Sequence, residues 1–249
     1  MRYSACIELL YRREHADVGD RIRAAKAAGM DAVEFWTWSN KDVAGIKRAL
    51  AETGLPLAGI LCEPIANITN PATHEFFLAG VMASLAAARD LGTCLLIAQG
   101  GNLVAGASRA SQHKAIADCL RRAADIVAGS GVVIALEPLN DRVDHPGYYL
   151  TSTPEGLDIV DEVGRPEIRL LYDIYHAGVM GEPIDLLAGR VDRVAHVHLA
   201  DAPGRHEPGT GTLDLKARLD WLEAQGYRGF AGFEYVPTEA GRGPAFPNT

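Results

Sequence analysis

Residues Val132–Glu137 read Val-Val-Ile-Ala-Leu-Glu, five apolar residues followed by a carboxylate. A short and almost continuous apolar run of this kind is typical of a parallel strand that is covered on both faces. A helical pattern precedes the run over residues 112–128, and a long polar stretch follows it over residues 138–152. A helix, a buried strand and a polar loop in this order indicate one unit of an α/β protein.

The same unit repeats along the chain in both directions. Strands are predicted over residues 3–9, 31–36, 57–61, 94–98, 132–137, 168–173, 194–199 and 230–234. Helices are predicted over residues 18–28, 43–52, 75–91, 112–128, 154–163, 184–187 and 215–224. In a chain of 249 residues this alternation predicts a single (β/α)8 TIM barrel over residues 1–249, with a C-terminal helix that is short or absent. No GxGxxG motif follows the first strand, so a dinucleotide-binding fold is not indicated.

The composition excludes several other classes of protein. The formal net charge of −8 disfavours nucleic acid as a partner, because binding to phosphates needs a basic face. No apolar run approaches the roughly 18 residues of a membrane span, and the first residues do not read as a signal peptide. The four cysteines form no CxxC pair, which is typical of free thiols in a reducing compartment. We therefore expect a cytoplasmic protein with no membrane partner.

Four residues that can bind a metal lie at the ends of four consecutive predicted strands. They are Glu137, Asp173, His198 and Glu234, at the ends of strands five to eight. In a closed barrel these ends meet at the face that carries barrel active sites, and long loops follow strands five and seven there. Three carboxylates at short range beside one imidazole would repel one another without a cation. The pattern predicts one divalent ion, and its oxygen and nitrogen ligands suit Mn²⁺, Mg²⁺, Co²⁺ or Zn²⁺, of which we expect Mn²⁺.

Each of these residues also has an ordinary structural interpretation. A lone Asp or Glu at a strand end is commonly a turn residue or a helix cap. His196 and His198 share one strand face, so either could be a hydrogen-bonded core histidine. The metal site therefore depends on the coincidence of all four positions.

Five segments resemble the hydroxypyruvate isomerase branch of the xylose isomerase-like barrels, and the resemblance runs from about Tyr3 to Pro237. They are Glu137-Pro138-Leu139-Asn140, Tyr172-Asp173-Ile174-Tyr175-His176, His196-Val197-His198-Leu199-Ala200-Asp201, the stretch from Pro203 to Gly211, and Phe233-Glu234-Tyr235. The resemblance implies the same barrel and the same four metal ligands. It also implies that Glu137 and Glu234 form the catalytic acid–base pair, while His176 and Arg205 hold substrate oxygens.

Such a site supports proton transfer next to a carbonyl. A carboxylate removes a proton to give an enediolate, and the proton returns to the neighbouring carbon in an isomerase or to the opposite face in an epimerase. Trp36, Trp38, Glu63 and Gln99, at or after strands two to four, are candidates for the other wall of a substrate pocket. Aromatic residues there are also common in a plain core.

The leading hypothesis is an isomerase of hydroxypyruvate or a similar small sugar or keto acid. Hydroxypyruvate isomerases commonly carry glutamine at the position of His198, whereas the related ketose 3-epimerases carry histidine, so a 3-epimerase is the first alternative. A lyase of 3-keto-glycosides, a metal-dependent DNA-repair nuclease and a non-catalytic sugar-binding protein are the others. The resemblance further implies a homo-oligomer, either a dimer or a tetramer.

Overall fold

Eight parallel strands form one sheet that curves into a nearly closed barrel. The structure, a computed structural model, describes residues 1–240 and 244. The strands are β1 (Arg2–Cys6), β2 (Ala32–Glu34), β3 (Ile60–Leu61), β4 (Leu95–Gln99), β5 (Val133–Glu137), β6 (Ile168–Asp173), β7 (Val194–Leu199) and β8 (Phe230–Phe233). Their order around the sheet is β2-β1-β8-β7-β6-β5-β4-β3, and a bridge between Val33 and Leu57 connects the two edges. The predicted TIM barrel is confirmed.

Helices cover the outside of the barrel. They are α1 (Val18–Ala27), α2 (Val43–Thr53), α3 (His74–Leu91), α4 (Arg109–Val127), α5 (Thr153–Val163), α6 (Ile174–Met180) and α7 (Leu215–Ala224). Short 3-10 turns lie at Pro71–Thr73, Ile184–Leu187 and Val191–Arg193. Several helices end at a glycine with a left-handed backbone, for example α3 at Gly92 with φ 76°, as expected where an ordinary residue would be strained.

Strand β5 explains why its final carboxylate faces the barrel interior. Ile134 and Leu136 belong to the large cluster that packs the sheet against the helices, whereas Ala135 belongs to the small cluster inside the barrel. Because side chains alternate between the two faces of a strand, Glu137 lies on the same inner face as Ala135. The register sets Glu137 beside Gln99 on β4, and Asp173 beside His198 on the neighbouring pair β6 and β7.

The sequence prediction was wrong at two connections. The first strand ends at Cys6 rather than residue 9, because Leu9 and Leu10 donate backbone hydrogen bonds back to Cys6 in a turn. Helix α6 was missed altogether, and the predicted helix over residues 184–187 is a 3-10 turn. Helix α6 has only seven residues, too few for an apolar period to be recognised, and Asp173 at its start is both a strand end and its N-cap.

The end of the barrel agrees with the prediction as far as the structure describes it. Between β8 and residue 240 the chain forms no helix, and the remaining predicted tail at residues 241–243 and 245–249 lies outside the described residues. Among the helices of the described part, none is long and apolar enough to span a bilayer. The single-domain boundary at residues 1–249 and the cytoplasmic location stay predictions.

Candidate metal and active site

The four strand-end residues of the sequence analysis meet at one point of the barrel mouth. Glu137, Asp173, His198 and Glu234 each offer one ligand atom, and these atoms all lie within 4.8 Å of one another. His198 is at the centre, with its Nδ1 3.3 Å from Oε1 of Glu137 and 3.5 Å from Oε2 of Glu234. All four side chains are buried. The strand-end pattern therefore predicted a real spatial cluster.

Asp173 serves two purposes at the end of β6. Its Oδ1 accepts hydrogen bonds from the backbone N–H groups of Tyr175 at 2.7 Å and His176 at 3.0 Å, and this caps helix α6. Its Oδ2 lies 3.6 Å from Nε2 of His176. The structural interpretation of Asp173 as a helix cap is thus correct for one oxygen, and the carboxylate still belongs to the cluster.

The buried groups of this cluster shift one another's pKa values. Burial raises the pKa of Asp173, Arg205 lowers it and the nearby Glu234 raises it, and the net pKa is raised. Burial also raises the pKa of Glu234, but His198, Arg205 and a hydrogen bond from Trp36 outweigh it and leave this pKa lowered. Burial lowers the pKa of His198, yet Glu234 and Glu34 hold it well above its usual range. Without a metal, a protonated His198 therefore compensates the carboxylates.

The donor set fits a divalent cation. Three carboxylates and one imidazole supply oxygen and nitrogen atoms, which suit Mn²⁺, Mg²⁺, Co²⁺ or Zn²⁺ and do not distinguish them. A cation would take the place of the proton on Nδ1 of His198 and lower the pKa of Asp173, which the protein alone leaves raised. The residues present thus match the group that the sequence pattern predicted.

A cavity of about 230 Å³ opens over the cluster. This is below the roughly 300–1,000 Å³ that is usual for a ligand cleft, so it favours a compact ligand. Four of the predicted substrate residues line it, namely Trp36, Gln99, His176 and Arg205. The apolar side is made by Leu61, Ile65, Ile97 and Leu139.

Two predicted wall residues have other partners. Glu63 turns towards the loop after β2, where its Oε2 accepts the backbone N–H groups of Trp38 at 2.7 Å and Ser39 at 2.9 Å. The indole of Trp38 donates from Nε1 to Oγ of Ser84 at 3.2 Å. Glu63 thus supports the loop next to the pocket, and these contacts give no support to a substrate role.

The loop after β7 brings Arg205 to the cluster. The buried carboxylate of Asp201 fixes this loop by accepting backbone N–H groups of Ala202, Gly209, Gly211 and Leu213 at 2.9–3.0 Å. Arg205 has a left-handed backbone with φ 54°, and its Nη2 donates to Oε2 of Glu234.

His176 faces the cavity as a neutral imidazole. Its Nδ1 accepts from the backbone N–H of Asn140 at 3.1 Å and lies 2.7 Å from the side-chain Nδ2 of Asn140. Burial and the positive charge of Arg205 lower the pKa of His176 to about 4. Its buried Nε2 makes no hydrogen bond to any described residue, so this atom can bind a ligand group.

Two features of the site escaped the sequence analysis. His145, in the loop after β5, lines the cavity with its ring centroid 5.6 Å from that of His176. Glu34, the last residue of β2, lies beneath the cluster and contacts both His196 and His198. Glu34 lies inside the strand predicted over residues 31–36, so it did not stand at a predicted strand end, and nothing in the loop sequence distinguished His145.

The fold and the cluster define the class: a TIM-barrel enzyme with a candidate metal centre at the C-terminal ends of its strands. The model of the xylose isomerase-like TIM barrel family matches residues 22–246, and the chain belongs to this family. The resemblance seen in the sequence is therefore confirmed.

Relatives and solved structures agree with this assignment. The chain is 31% identical to hydroxypyruvate isomerase of Escherichia coli over 97% of its length and 96% of that protein. It is also 31% identical to 2-oxo-tetronate isomerase of Cupriavidus necator, with 97% and 96% covered. A structure of an AP endonuclease, family 2, from Brucella melitensis superposes with a TM-score of 0.88 at 29% identity, covering 96% of this chain and 94% of that one.

An epimerase is also among the structural neighbours. The D-allulose 3-epimerase from Methylomonas sp., in complex with D-allulose, gives a TM-score of 0.76 at 25% identity, with 88% of this chain and 78% of that one covered. The enzyme class is that of the sugar and keto-acid isomerases and epimerases.

Proposed function

We propose that this protein is a metal-dependent isomerase of hydroxypyruvate or a similar small 2-oxo acid, acting by proton transfer. The observation that carries the proposal is the placement of two carboxylates around one imidazole at a small cavity: Nδ1 of His198 lies between Glu137 and Glu234, 3.3 and 3.5 Å from their oxygens.

Glu137, Asp173, His198 and Glu234 would hold one divalent ion. When bound, such an ion supplies electrostatic stabilisation to the negative charge that develops on the substrate oxygens of an enediolate. The remaining steps belong to side chains of the chain itself.

Glu137 and Glu234 are the proposed acid–base pair. They come from opposite sides of the cluster, since β5 and β8 are separated by β6 and β7 in the sheet. The lowered pKa of Glu234 keeps this carboxylate ionised, which is the form that a general base must have. Glu234 is held by Trp36 at Oε1 and Arg205 at Oε2, whereas Oε1 of Glu137 contacts His198. We assign proton removal to one carboxylate and proton return to the other.

The substrate class follows from shared chemistry. Hydroxypyruvate and 2-oxo-tetronate, the compounds in the names of the two relatives, are both 2-oxo acids with a hydroxyl group on C3. In both, moving a proton from C3 to C2, and the hydroxyl proton from the C3 oxygen to the C2 oxygen, exchanges the carbonyl and the hydroxyl. In both, a carboxylate is attached directly to the carbonyl carbon, and Arg205 lines the cavity with a charge suited to it. The neutral His176, whose Nε2 makes no hydrogen bond to any described residue, is the candidate partner for a hydroxyl group.

A ketose 3-epimerase is the second candidate. The presence of His198 at the ligand position favours it, because the ketose 3-epimerases carry histidine there. The same four ligands and the same two carboxylates serve both reactions. The small cavity and the arginine at its wall favour the keto acid over a neutral ketose.

An assay of the purified protein against a substrate panel tests the proposal. The protein would be loaded with Mn²⁺ and compared with a sample treated with a chelator. We expect metal-dependent conversion of hydroxypyruvate or 2-oxo-tetronate, with much slower 3-epimerisation of ketohexoses. Conversion of ketohexoses without any turnover of the 2-oxo acids would replace the leading proposal with the second candidate.

A further inference from the structure

A buried carboxylate lies directly beneath the candidate metal site. Glu34 ends β2, and its side chain is 2% exposed. Its Oε2 accepts a hydrogen bond of 2.8 Å from Oγ of Ser4 and lies 2.7 Å from Nε2 of His196. Its Oε1 lies 2.8 Å from Nε2 of His198. A carboxylate this deep is costly unless its oxygens have partners, so its position calls for an explanation.

Strand β8 leaves room for this carboxylate. Gly232 pairs with Ser4 on β1 and with His198 on β7, which places it beside Glu34. A Cβ atom on Gly232 would stand 2.5 Å from Oε1 and 2.8 Å from Oε2 of Glu34. Real contacts of a Cβ are longer than this, so the glycine is required where the carboxylate lies.

The two nitrogens of His198 face different groups. Nδ1 faces Glu137 and Glu234 in the cluster, whereas Nε2 faces Glu34 on the opposite side. Nε2 of His198 and Oε1 of Glu34 are both buried, and neither makes an aligned hydrogen bond to any described residue. At 2.8 Å each is the nearest candidate partner for the other, and a small rotation of the ring or the carboxylate would align them.

We infer that Glu34 is a positioning residue that keeps the proton of His198 on Nε2 and so presents Nδ1 to the metal. The proton of a histidine stays on the nitrogen that has an acceptor, and the other nitrogen is then free to bind a metal ion. Glu34 is that acceptor through Oε1, Gly232 leaves the space in which the carboxylate lies, and Ser4 contacts only the other oxygen, Oε2. This inference rests on the proposed metal site and adds a residue that is not a ligand.

Metal titration of variants tests this role. Mn²⁺ binding would be measured by calorimetry for the parent, Glu34→Gln and Ser4→Ala. Loss of a carboxylate partner behind a histidine ligand typically weakens metal binding by about 10–100-fold, and we expect this for Glu34→Gln. Ser4→Ala is the matched control: it removes one hydrogen bond to the same carboxylate but leaves Oε1 facing His198, so its Kd should stay within about threefold of the parent.

Two further measurements separate positioning from general damage. Gly232→Ala crowds Glu34 without removing it, so this variant should also weaken Mn²⁺ binding. It replaces Glu34→Gln in the test if Glu34→Gln does not fold. In the Zn²⁺-loaded parent, ¹⁵N-edited NMR should show His198 protonated at Nε2 with a slowly exchanging proton. This signal should be lost or exchange rapidly in Glu34→Gln and remain in Ser4→Ala.

The possible contrary results have different meanings. If Glu34→Gln and Gly232→Ala bind Mn²⁺ as tightly as the parent with the Nε2 proton unchanged, the positioning role is wrong and the metal site stands. If the parent binds no divalent ion, both the metal site and the inference fail. If the parent binds two ions and His196→Asn removes one of them, Glu34 is a metal ligand with His196 and His198, and the positioning role is overturned.

Discussion

Trp36 donates a hydrogen bond of 2.7 Å from its indole Nε1 to Oε1 of Glu234. The other carboxylate oxygen of Glu234 accepts from Nη2 of Arg205. Trp36, after β2, and Arg205, after β7, thus both bind the carboxylate of Glu234, after β8. Both donors favour the charged form of this carboxylate. Trp36, which the sequence indicated as a candidate for the pocket wall, therefore binds the proposed catalytic carboxylate.

Replacing Trp36 with Phe should alter the acidic side of the pH profile. The substitution keeps a ring but removes the donor, so the pKa of Glu234 rises from its lowered value. A base with a higher pKa is protonated at higher pH, so the acidic limb of kcat/KM moves upward. On that limb kcat/KM should fall by about tenfold, the scale of one lost hydrogen bond to a charged group. Trp38→Phe is the control, because Trp38 donates to Ser84 instead. Equal profiles for both variants would exclude this role for Trp36.

The metal site predicts one tightly bound Mn²⁺ per chain. His198→Ala removes the central ligand, so it should weaken Mn²⁺ binding by more than about 100-fold. Loss of a residue that only supports a ligand typically weakens metal binding by about 10–100-fold, and loss of the ligand itself should have a larger effect. His113→Ala changes a partly exposed histidine on α4 and should leave binding unaltered. Metal analysis after dialysis, followed by calorimetry, makes the comparison. Unchanged metal content in His198→Ala would contradict the ligand assignment.

Arg205→Lys should affect substrate binding more than metal binding. Lysine keeps the charge but lacks the planar fork that binds a carboxylate through two nitrogens. We expect KM for the 2-oxo acid to rise by about tenfold or more, while the Kd for Mn²⁺ changes little. Arg142→Lys, in the exposed part of the loop after β5, provides the control. Unaltered kinetics in Arg205→Lys would argue against a role at the site.

The neutral state of His176 predicts a dependence of stability on pH in the metal-free protein. Its folded pKa is about 4, below the ordinary value of 6.5, so the unfolded chain binds the proton more readily between these values. The stability contributed by the neutral form is present above pH 6.5 and is lost as the pH falls towards 4. Between pH 7 and pH 5 this amounts to about 2 kcal/mol.

Denaturant unfolding of His176→Asn checks this expectation. The variant lacks the titrating group, so its free energy of unfolding should fall by about 2 kcal/mol less than that of the parent over the same range of pH. Both proteins would be measured with a chelator present. Equal decreases in the free energy of unfolding of the parent and of His176→Asn would show that His176 does not titrate as expected.

The sequence predicted the barrel and the cluster for the same physical reason. Strands such as Val133–Glu137 are buried on both faces, so their apolar runs are continuous, and a polar residue at the end of such a run is conspicuous. Parallel strand ends converge in a barrel, and this turned four distant residues into one predicted site. Glu34 ends β2 in the structure, but this strand was predicted to run to residue 36, so Glu34 did not stand at a predicted strand end.

Other parts of the site depend on tertiary contacts that no local pattern records. The orientation of Glu63 is set by the backbone N–H groups of Trp38 and Ser39, and it could not be known before the loop was placed. His145 enters the cavity because its loop folds back against His176. Arg205 was expected to hold substrate oxygens, and its ion pair with Glu234 follows from the way Asp201 shapes the loop.

Glu137 and Glu234 carry the central claim, since the proposed reaction requires a proton to leave one carbon and return to its neighbour through carboxylates. Glu137→Gln and Glu234→Gln should each lower kcat by about 10²-fold or more, because glutamine cannot take up the proton. Glutamine still offers an oxygen, so part of the metal affinity should remain.

The most direct measurement is turnover of hydroxypyruvate by the Mn²⁺-loaded protein in D2O, with the position of deuterium in the product read by NMR or mass spectrometry. The two glutamine variants give the background of uncatalysed exchange. Transfer through Glu137 and Glu234 predicts solvent deuterium on C2 of the product. Product that forms at the normal rate with the substrate's own hydrogen fully retained and no solvent deuterium would contradict proton transfer and indicate an internal hydride shift.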